Sequence, residues 1–149
     1  MQQNLRLVMD VMEKDIRMAG LDPERKNSFG IITAGAHNLA ISLDRNGDGS
    51  RDNDADLTDV EGGETISYGL SGTELTRQDG TATPAVLAAN VTSLGFTYLD
   101  RNGAATASVA DARSVIVNLT VRSAKPEPET GLYLERKLER RIRCRNLGL

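Results

Sequence analysis

The residues with the most evident chemistry lie in one acidic stretch, DRNGDGSRDNDAD, at positions 44–56. Aspartate and asparagine alternate along its first half, and a glycine follows directly. Calcium takes six to eight oxygen ligands, and a loop that alternates carboxylates and carboxamides can turn them toward one centre. The sequence therefore predicts a calcium site. Its candidate ligands are Asp44, Asn46, Asp48, Ser50 through its main-chain carbonyl, Asp52 and Asp56.

This stretch is not an EF-hand, although its first half matches the opening of an EF-hand loop. The twelfth position holds Ala55, where an EF-hand has a bidentate glutamate, and no predicted helices flank the loop. It is more similar to the helix-free DxNxDGxxD loops of extracellular calcium proteins, with Asp52 at the final position. Whether Asp54 or Asp56 completes the ligand shell stays open.

A solvated turn is the alternative interpretation of the acidic stretch, because Asn-Gly and Asp-Gly pairs are common turn formers. Its charge favours a cation: eight acids and two bases between Asp44 and Glu64 give a net charge of −6. The same DRNG letters recur at Asp100–Gly103 without later acids, and there we predict only a turn.

Catalytic patterns are missing from the sequence. The single histidine, His37, and the single cysteine, Cys144, have no surrounding motif for nucleophilic catalysis. No serine lies in a nucleophile-elbow pattern, and no glycine-rich phosphate loop precedes a helix. We therefore predict that the protein is not an enzyme, with His37 at a turn or strand end and Cys144 as a buried strand thiol.

A basic stretch, ERKLERRIRCRN, closes the chain at positions 135–146, with six bases and two acids. Most of its charged residues are odd-numbered, as on the solvated face of one strand, and exposed charge protects a sheet edge from pairing. A solvated face is the favoured interpretation. A docking surface for an acidic protein partner is an alternative, and nucleic-acid binding is disfavoured.

An amphipathic helix is predicted at the start of the chain. Leu5, Val8, Met9, Met12, Ile16 and Ala19 follow the spacing of one helical face. Gly20 suits the left-handed position after a helix, and Pro23 prevents the helix from resuming.

Strands are predicted over most of the remaining chain because short alternating runs are separated by Gly, Asn or Asp. The runs are Ile31–Thr33, Asn38–Leu43, Glu64–Leu70, Glu74–Arg77, Val91–Leu99, Ser114–Arg122 and Leu132–Asn146, and residues 84–90 are predicted as a helical turn or short helix starting at Pro84. The predicted fold class is α+β, an amphipathic helix packed on antiparallel sheet, in a single domain.

Composition disfavours several classes of function. The chain has 149 residues and a formal charge of −3, which gives no global case for nucleic acid or an anionic membrane. No run approaches the roughly 20 apolar residues that span a bilayer. One cysteine excludes an intrachain disulfide, and the scarcity of aromatic residues disfavours a stacking platform for bases.

The opening segment QQNLRLVMDVMEKDIRMAGLDP resembles the region after the membrane-embedded stretch in minor type IV pilins of the PilW type and in the J-type minor pseudopilins of type II secretion. The matching residues are Asn4, Leu5, Arg6, Asp10, Met12, Asp15, Ile16, Arg17, Ala19 and Gly20. The later stretch LAANVTSLGFTYLD is also similar to these families.

The resemblance implies a pilin-like domain over residues 1–149, with residues 1–20 as the C-terminal half of the spine helix and 30–147 as a β-rich head. It implies a structural subunit that joins the assembly or tip of a pilus or pseudopilus. The partners would be other minor and major pilins or pseudopilins, contacted through the helix, with no small-molecule substrate. The subunit would be anchored in the inner membrane facing the periplasm before it enters the filament.

Prepilins also carry a basic leader, a cleavage site and a long apolar helical half, which residues 1–149 lack. We therefore expect these residues to be the soluble part of a longer protein, whose upstream segment contacts the inner membrane. A secreted calcium-binding adhesion or recognition module is the alternative function.

Overall fold

A computed structural model describes residues 2–23, 29–47, 49 and 63–147. These residues form one helix, α1 (Gln2–Met18), and eight strands. The strands are β1 (Ile31–Ala34), β2 (Leu39–Ser42), β3 (Thr65–Ser71), β4 (Glu74–Asp79), β5 (Ala85–Ala88), β6 (Val91–Leu99), β7 (Ser114–Arg122) and β8 (Glu135–Arg143).

Helix α1 forms as the apolar spacing predicts, and it ends where glycine allows. Its predicted apolar face is buried, from Leu5 to Ala19. Gly20 has a φ of 79° and donates its N–H to the carbonyl of Ser42, 2.9 Å away. Among the described residues, no helix has the length and apolar character needed to cross a membrane.

The strands form two antiparallel sheets in the described part of the chain. Sheet A has the order β1-β2-β3-β4-β5, and sheet B has the order β6-β7-β8. The predicted alternation is confirmed in β7, where Val115, Val117, Leu119 and Val121 all point into the core. Such a half-buried strand buries every second residue because successive side chains point to opposite faces.

One hydrophobic core joins α1 to both sheets. Helix α1 packs against β8 of sheet B and β5 of sheet A. The turn between β1 and β2 links the sheets directly, because the Phe96 N–H donates to the carbonyl of Ala36 at 2.8 Å. The Tyr98 hydroxyl donates to the Gly35 carbonyl in the same turn at 2.9 Å.

The predicted α+β class, a pilin-like helix packed on antiparallel sheet, is wrong. The described residues are mostly strand, in two antiparallel sheets, with α1 as their one helix. Alternation identifies strands but not which strands share a sheet, so the sequence pattern did not separate sheet A from sheet B.

The predicted helical segment at residues 84–90 is also wrong, because Ala85–Ala88 forms β5. Alanine and leucine favour a helix, but pairing with β4 overrides that weak preference. Pro84 is tolerated because it directly precedes an edge strand, where the missing N–H costs no ladder bond. The other predicted strands are confirmed, with shifts of a few residues at their ends.

Candidate functional site

Leu43, directly before the acidic stretch, lies beside Glu64, where the chain returns to sheet A. The Leu43 N–H donates to the Glu64 carbonyl at 3.0 Å, which extends the β2–β3 pairing beyond the strands. The Asp44 N–H donates to the carbonyl of Leu21, after the end of α1, at 2.7 Å. The first residue of the stretch is thereby fixed to both the sheet and the helix.

Asp44 is a buried carboxylate, with 1% of its surface exposed. One carboxylate oxygen, Oδ1, accepts the N–H of Gly47 at 2.6 Å, and the other, Oδ2, accepts the N–H of Gly49 at 3.0 Å. An ionised carboxylate has about four acceptor positions, so each oxygen keeps capacity for a further partner. The geometry of Asp44 is therefore compatible with its predicted role as a calcium ligand.

The other predicted ligands are placed only in part. Asn46 is exposed, and Asp48, Ser50, Asp52 and Asp56 lie outside the described residues, as does Asp54. Within the described ranges, no group of three or more His, Cys, Asp or Glu side chains is arranged to hold a metal ion. The calcium site stays a prediction.

Glu64 is a second buried carboxylate at the base of the stretch, and it was not among the predicted ligands. It is 3% exposed, and its Oε1 accepts the N–H of Arg45 at 3.1 Å. An available signal was its place at the start of the predicted strand Glu64–Leu70, in the same run of acids that begins at Asp44. Asp44 and Glu64 are thus two buried acids at the same end of the β2–β3 pair.

The second DRNG segment forms the predicted turn. Asp100 Oδ1 accepts the N–H groups of Asn102 and Ala104 at 2.8 and 3.0 Å, and Asp100 itself is half-buried. Gly103 has a φ of 82°, close to the 79° of Gly47 in the first segment. The two turns share their glycine conformation, but only Asp44 is fully buried with both oxygens bonded to loop amides.

An ionic network continues from this region to the last turn of α1. The Arg45 guanidinium contacts Asp79 at 3.1 Å, and Asp79 lies 3.7 Å from Arg77. Arg77 in turn donates to the carboxylate of Asp15, through Nε at 2.7 Å and through Nη2 at 3.3 Å. The buried Tyr68 hydroxyl also donates to Asp15.

This network favours the protonated forms of Tyr68 and Arg77. Burial, followed by the charge of Asp15, raises the pKa of the Tyr68 hydroxyl well above its usual range. The hydrogen bond to Asp15 raises the pKa of Arg77. Arg77 therefore stays cationic and Tyr68 stays a neutral donor, and together they orient Asp15 against sheet A.

Sheet B holds α1 through a second ion pair. Arg140 of β8 contacts Asp10 at 2.7 Å and Glu13 at 2.5 Å, and Glu13 also pairs with Arg17 one turn later on the helix. The hydrogen bond to Asp10 raises the pKa of Arg140. Polar contacts from both sheets thus set the rotation of α1 about its axis.

His37 and Cys144, the two residues considered for catalysis, lie in surroundings typical of residues with a structural role. His37 lies in the β1–β2 turn, as predicted, with Nδ1 2.7 Å from the carbonyl oxygen of Leu94. Cys144 is buried, as predicted, and its burial raises the pKa of the thiol to about 12, although Arg113 acts in the opposite direction. The reactive thiolate form of Cys144 is therefore disfavoured.

Helix α1 carries a second apolar stripe on its exposed side. Leu7 is 63% exposed, Val11 is 39% exposed and Met18 is 38% exposed. Their spacing of four and seven residues places them along one line on the helix surface. A groove of about 480 Å³ borders the C-terminal end of this stripe, at Met18. It is lined by Asp10, Glu13, Lys14, Arg17, Met18, Leu21, Arg145 and Asn146.

No protein-family model matches this chain, and no curated protein matches it.

Proposed function

We propose that this protein is a structural minor pilin or pseudopilin, a non-enzymatic subunit that contributes to the assembly or tip of a type IV pilus or type II secretion pseudopilus. The observation that carries the proposal is the second apolar stripe of α1, formed by Leu7, Val11 and Met18. A helix that serves only its own core needs one apolar face, whereas α1 displays two. The resemblance of its sequence to the spine helix of minor pilins points to the same use.

The attachment of α1 supports an assembly role because it presents the stripe in a fixed orientation. The Asp15–Arg77 contact holds the helix to sheet A, and Arg140 holds it to sheet B. A partner helix would therefore meet a surface that is already ordered, which lowers the entropy cost of association. The proposed partners are other minor and major pilins or pseudopilins, with packing between helices as the mode of contact.

The proposed location follows from the proposal that the protein is a minor pilin or pseudopilin. The subunit is anchored in the inner membrane through an upstream segment, faces the periplasm before assembly, and then enters the filament. The acidic stretch binds calcium in this proposal and stiffens an exposed part of the subunit. The buried carboxylate of Asp44, held by two loop amides, supports an ordered start for such a site.

Intact mass and N-terminal sequencing of the native protein from source-cell membranes test this assignment. We expect a longer polypeptide with an apolar run of about 20 residues before α1, enough to cross a bilayer. A secreted protein that begins near Met1 would contradict the pilin proposal. That result would favour a calcium-binding adhesion or recognition module, which the geometry of Asp44 also fits.

A paired substitution tests the helix surface itself. Leu7→Glu with Val11→Glu places two charges on the exposed stripe and leaves the buried face of α1 unchanged. We expect the folded subunit to lose filament assembly and crosslinking to its neighbours. The matched control is Val86→Glu, because Val86 is 53% exposed and belongs to β5 rather than to the stripe of α1. Assembly by the paired variant at the wild-type level would reject this role for α1.

A further inference from the structure

Strand β8 is an edge strand with a long unpaired side. It spans nine residues, pairs with β7 along its whole length, and ends the order of sheet B. Among the described residues, the backbone groups on its other side have no main-chain partner. Natural proteins protect such edges because the free N–H and C=O groups can pair with another chain.

The register identifies the residues that face outward. The Cys144 N–H donates to the Arg113 carbonyl at 3.0 Å, and the Ser123 N–H donates to the Leu134 carbonyl at 2.7 Å. These bonds lie at the two ends of one continuous antiparallel ladder, in which bonded and non-bonded pairs alternate. The even-numbered residues of β8 therefore bond to β7. The odd-numbered residues direct their N–H and C=O groups to the free edge.

The free edge is strongly basic. The exposed cations at and beside β8 are Arg136, Lys137, Arg141, Arg143 and Arg145, and the same stretch contains two acids, Glu135 and Glu139. None of these five cations forms an ion pair within the described part of the chain, in contrast to Arg140. Three of the five, Lys137, Arg141 and Arg143, are odd-numbered residues of β8, so their charges lie beside the free backbone groups.

An exposed apolar segment leads into this edge. Leu132, Tyr133 and Leu134 are 68%, 46% and 39% exposed. The Arg122 guanidinium lies 4.7 Å from the centre of the Tyr133 ring, a cation–π contact that supports this extended segment. The edge therefore offers an apolar end followed by a basic run.

We propose that the free edge of β8 is the docking site for an extended acidic segment of another protein, which adds to sheet B as a fourth strand. Main-chain hydrogen bonds supply the affinity in strand addition, and side chains supply the selectivity. Acidic side chains of the added strand would lie opposite Lys137, Arg141 and Arg143, and neutral residues would lie opposite Glu135 and Glu139. An apolar residue at its end would meet Leu132 and Leu134.

Net charge favours this occupant over a second copy of the chain. Cations outnumber acids along β8, so two copies would bring like net charge together, and a pairing centred on Glu139 would set Lys137 of one copy opposite Arg141 of the other. A pairing centred on Leu138 would set Lys137 opposite Glu139, and the self-association measurement below tests that register. An acidic strand converts the same charges into attraction. This proposal concerns β8 rather than the exposed stripe of α1, so it does not depend on the proposed pilin function.

Binding of a designed peptide tests the proposal directly. The probe is a nine-residue peptide that alternates glutamate with valine, with glutamine in place of the two glutamates that would face Glu135 and Glu139, and calorimetry measures its affinity for the full chain. Hydrogen exchange by NMR then follows the backbone amides of β8. We expect binding that weakens with salt, and amide exchange at Lys137, Glu139, Arg141 and Arg143 that slows by about tenfold or more.

Controls separate strand addition from general attraction of anions. A peptide whose glutamates are N-methylated keeps the charge but loses the N–H donors that would face β8, and one with lysine for glutamate reverses the charge. Neither should bind. Arg141→Glu should weaken binding of the acidic peptide by about tenfold or more, whereas Arg6→Glu, an equal charge change at an exposed position on α1, should not.

Three results would overturn the proposal. Equal binding of the N-methylated peptide would show attraction without strand pairing. Self-association of the chain with slowed exchange at the same four amides would assign the edge to a second copy. Tighter binding of a duplex DNA oligonucleotide, competing with the peptide, would assign the basic surface to nucleic acid.

Discussion

Arg77 of β4 donates two hydrogen bonds to the carboxylate of Asp15 in α1, a residue 62 positions earlier in the chain. The Tyr68 hydroxyl donates to the same carboxylate from β3. The pair lies where the buried face of the helix meets sheet A, and Asp15 is 8% exposed. The attachment of α1 to sheet A thus depends on a specific polar contact as well as on apolar burial.

Asp15→Asn is expected to lower the free energy of unfolding by about 2 to 3 kcal/mol, because it leaves Arg77 without its main buried partner. Asp10→Asn is the matched control on the same helix. Asp10 also contacts an arginine, but its side chain is 63% exposed, so we expect a loss below about 1 kcal/mol. Urea unfolding followed by circular dichroism measures both values. Equal losses of unfolding free energy would show that the Asp15–Arg77 contact stabilises the fold no more than the exposed Asp10–Arg140 contact.

Stability is expected to fall at alkaline pH because buried groups resist ionisation in the folded state. Burial raises the pKa of the Cys144 thiol from its ordinary 9.0 to about 12. The thiol of the unfolded chain loses its proton first, so its contribution to stability is complete below about pH 9 and is lost as the pH rises toward 12. Tyr98, whose pKa is also raised by burial, acts in the same direction.

Cys144→Ala separates the thiol contribution from that of the tyrosines. The variant should lose stability through the smaller side chain, but its free energy of unfolding should fall less between pH 8 and 11 than that of the wild type. Denaturant unfolding at several pH values gives, for each protein, the slope of the free energy of unfolding against pH. Parallel slopes for the two proteins would remove Cys144 as a source of the pH dependence.

Local sequence patterns predicted the helix and most strands because each depends on the periodicity of neighbouring residues. Val91–Leu99 and Ser114–Arg122 match β6 and β7 at both ends. The division into two sheets was not predictable in this way. It depends on contacts such as the Phe96 N–H with the Ala36 carbonyl, which joins residues far apart in sequence and involves only the main chain.

The candidate site was predictable only where residue type carried the signal. The alternating acids identified Asp44, whose side chain is organised by the amides of Gly47 and Gly49. Asp15 entered the sequence analysis only as part of a family resemblance, because a carboxylate on an amphipathic helix is normally solvated. Its burial depends on Arg77 from β4, and no local pattern pairs the two residues.

Gly63 makes a close backbone approach that an alanine side chain would obstruct. A Cβ atom on Gly63 would lie 2.2 Å from Cα of Gly80, at the junction where the chain enters β3. We expect Gly63→Ala to cost about 2 to 3 kcal/mol, since a main-chain segment must move to admit it. Gly69→Ala is the control within β3, because its Cβ would meet nothing within 4 Å. Thermal unfolding compares the two, and an equal effect would contradict the close approach.

The two DRNG turns provide a matched test of calcium binding. If the acidic stretch has the affinity typical of extracellular modules, about 5 mM calcium should stabilise the wild type by about 1 to 2 kcal/mol. Asp44→Asn should abolish that gain, because it removes a charged ligand at the buried start of the stretch. Asp100→Asn should retain the gain, because its turn has no later acids.

Thermal unfolding in calcium, in magnesium and in chelator measures the gain for each protein. The quantity compared is the difference between calcium and chelator within one variant, since Asp44→Asn also weakens the hydrogen bonds to Gly47 and Gly49. Magnesium should give a smaller gain because it demands a stricter geometry and keeps more of its water. The calcium prediction fails if the wild type shows no gain, or if Asp44→Asn keeps the full gain while Asp100→Asn loses it.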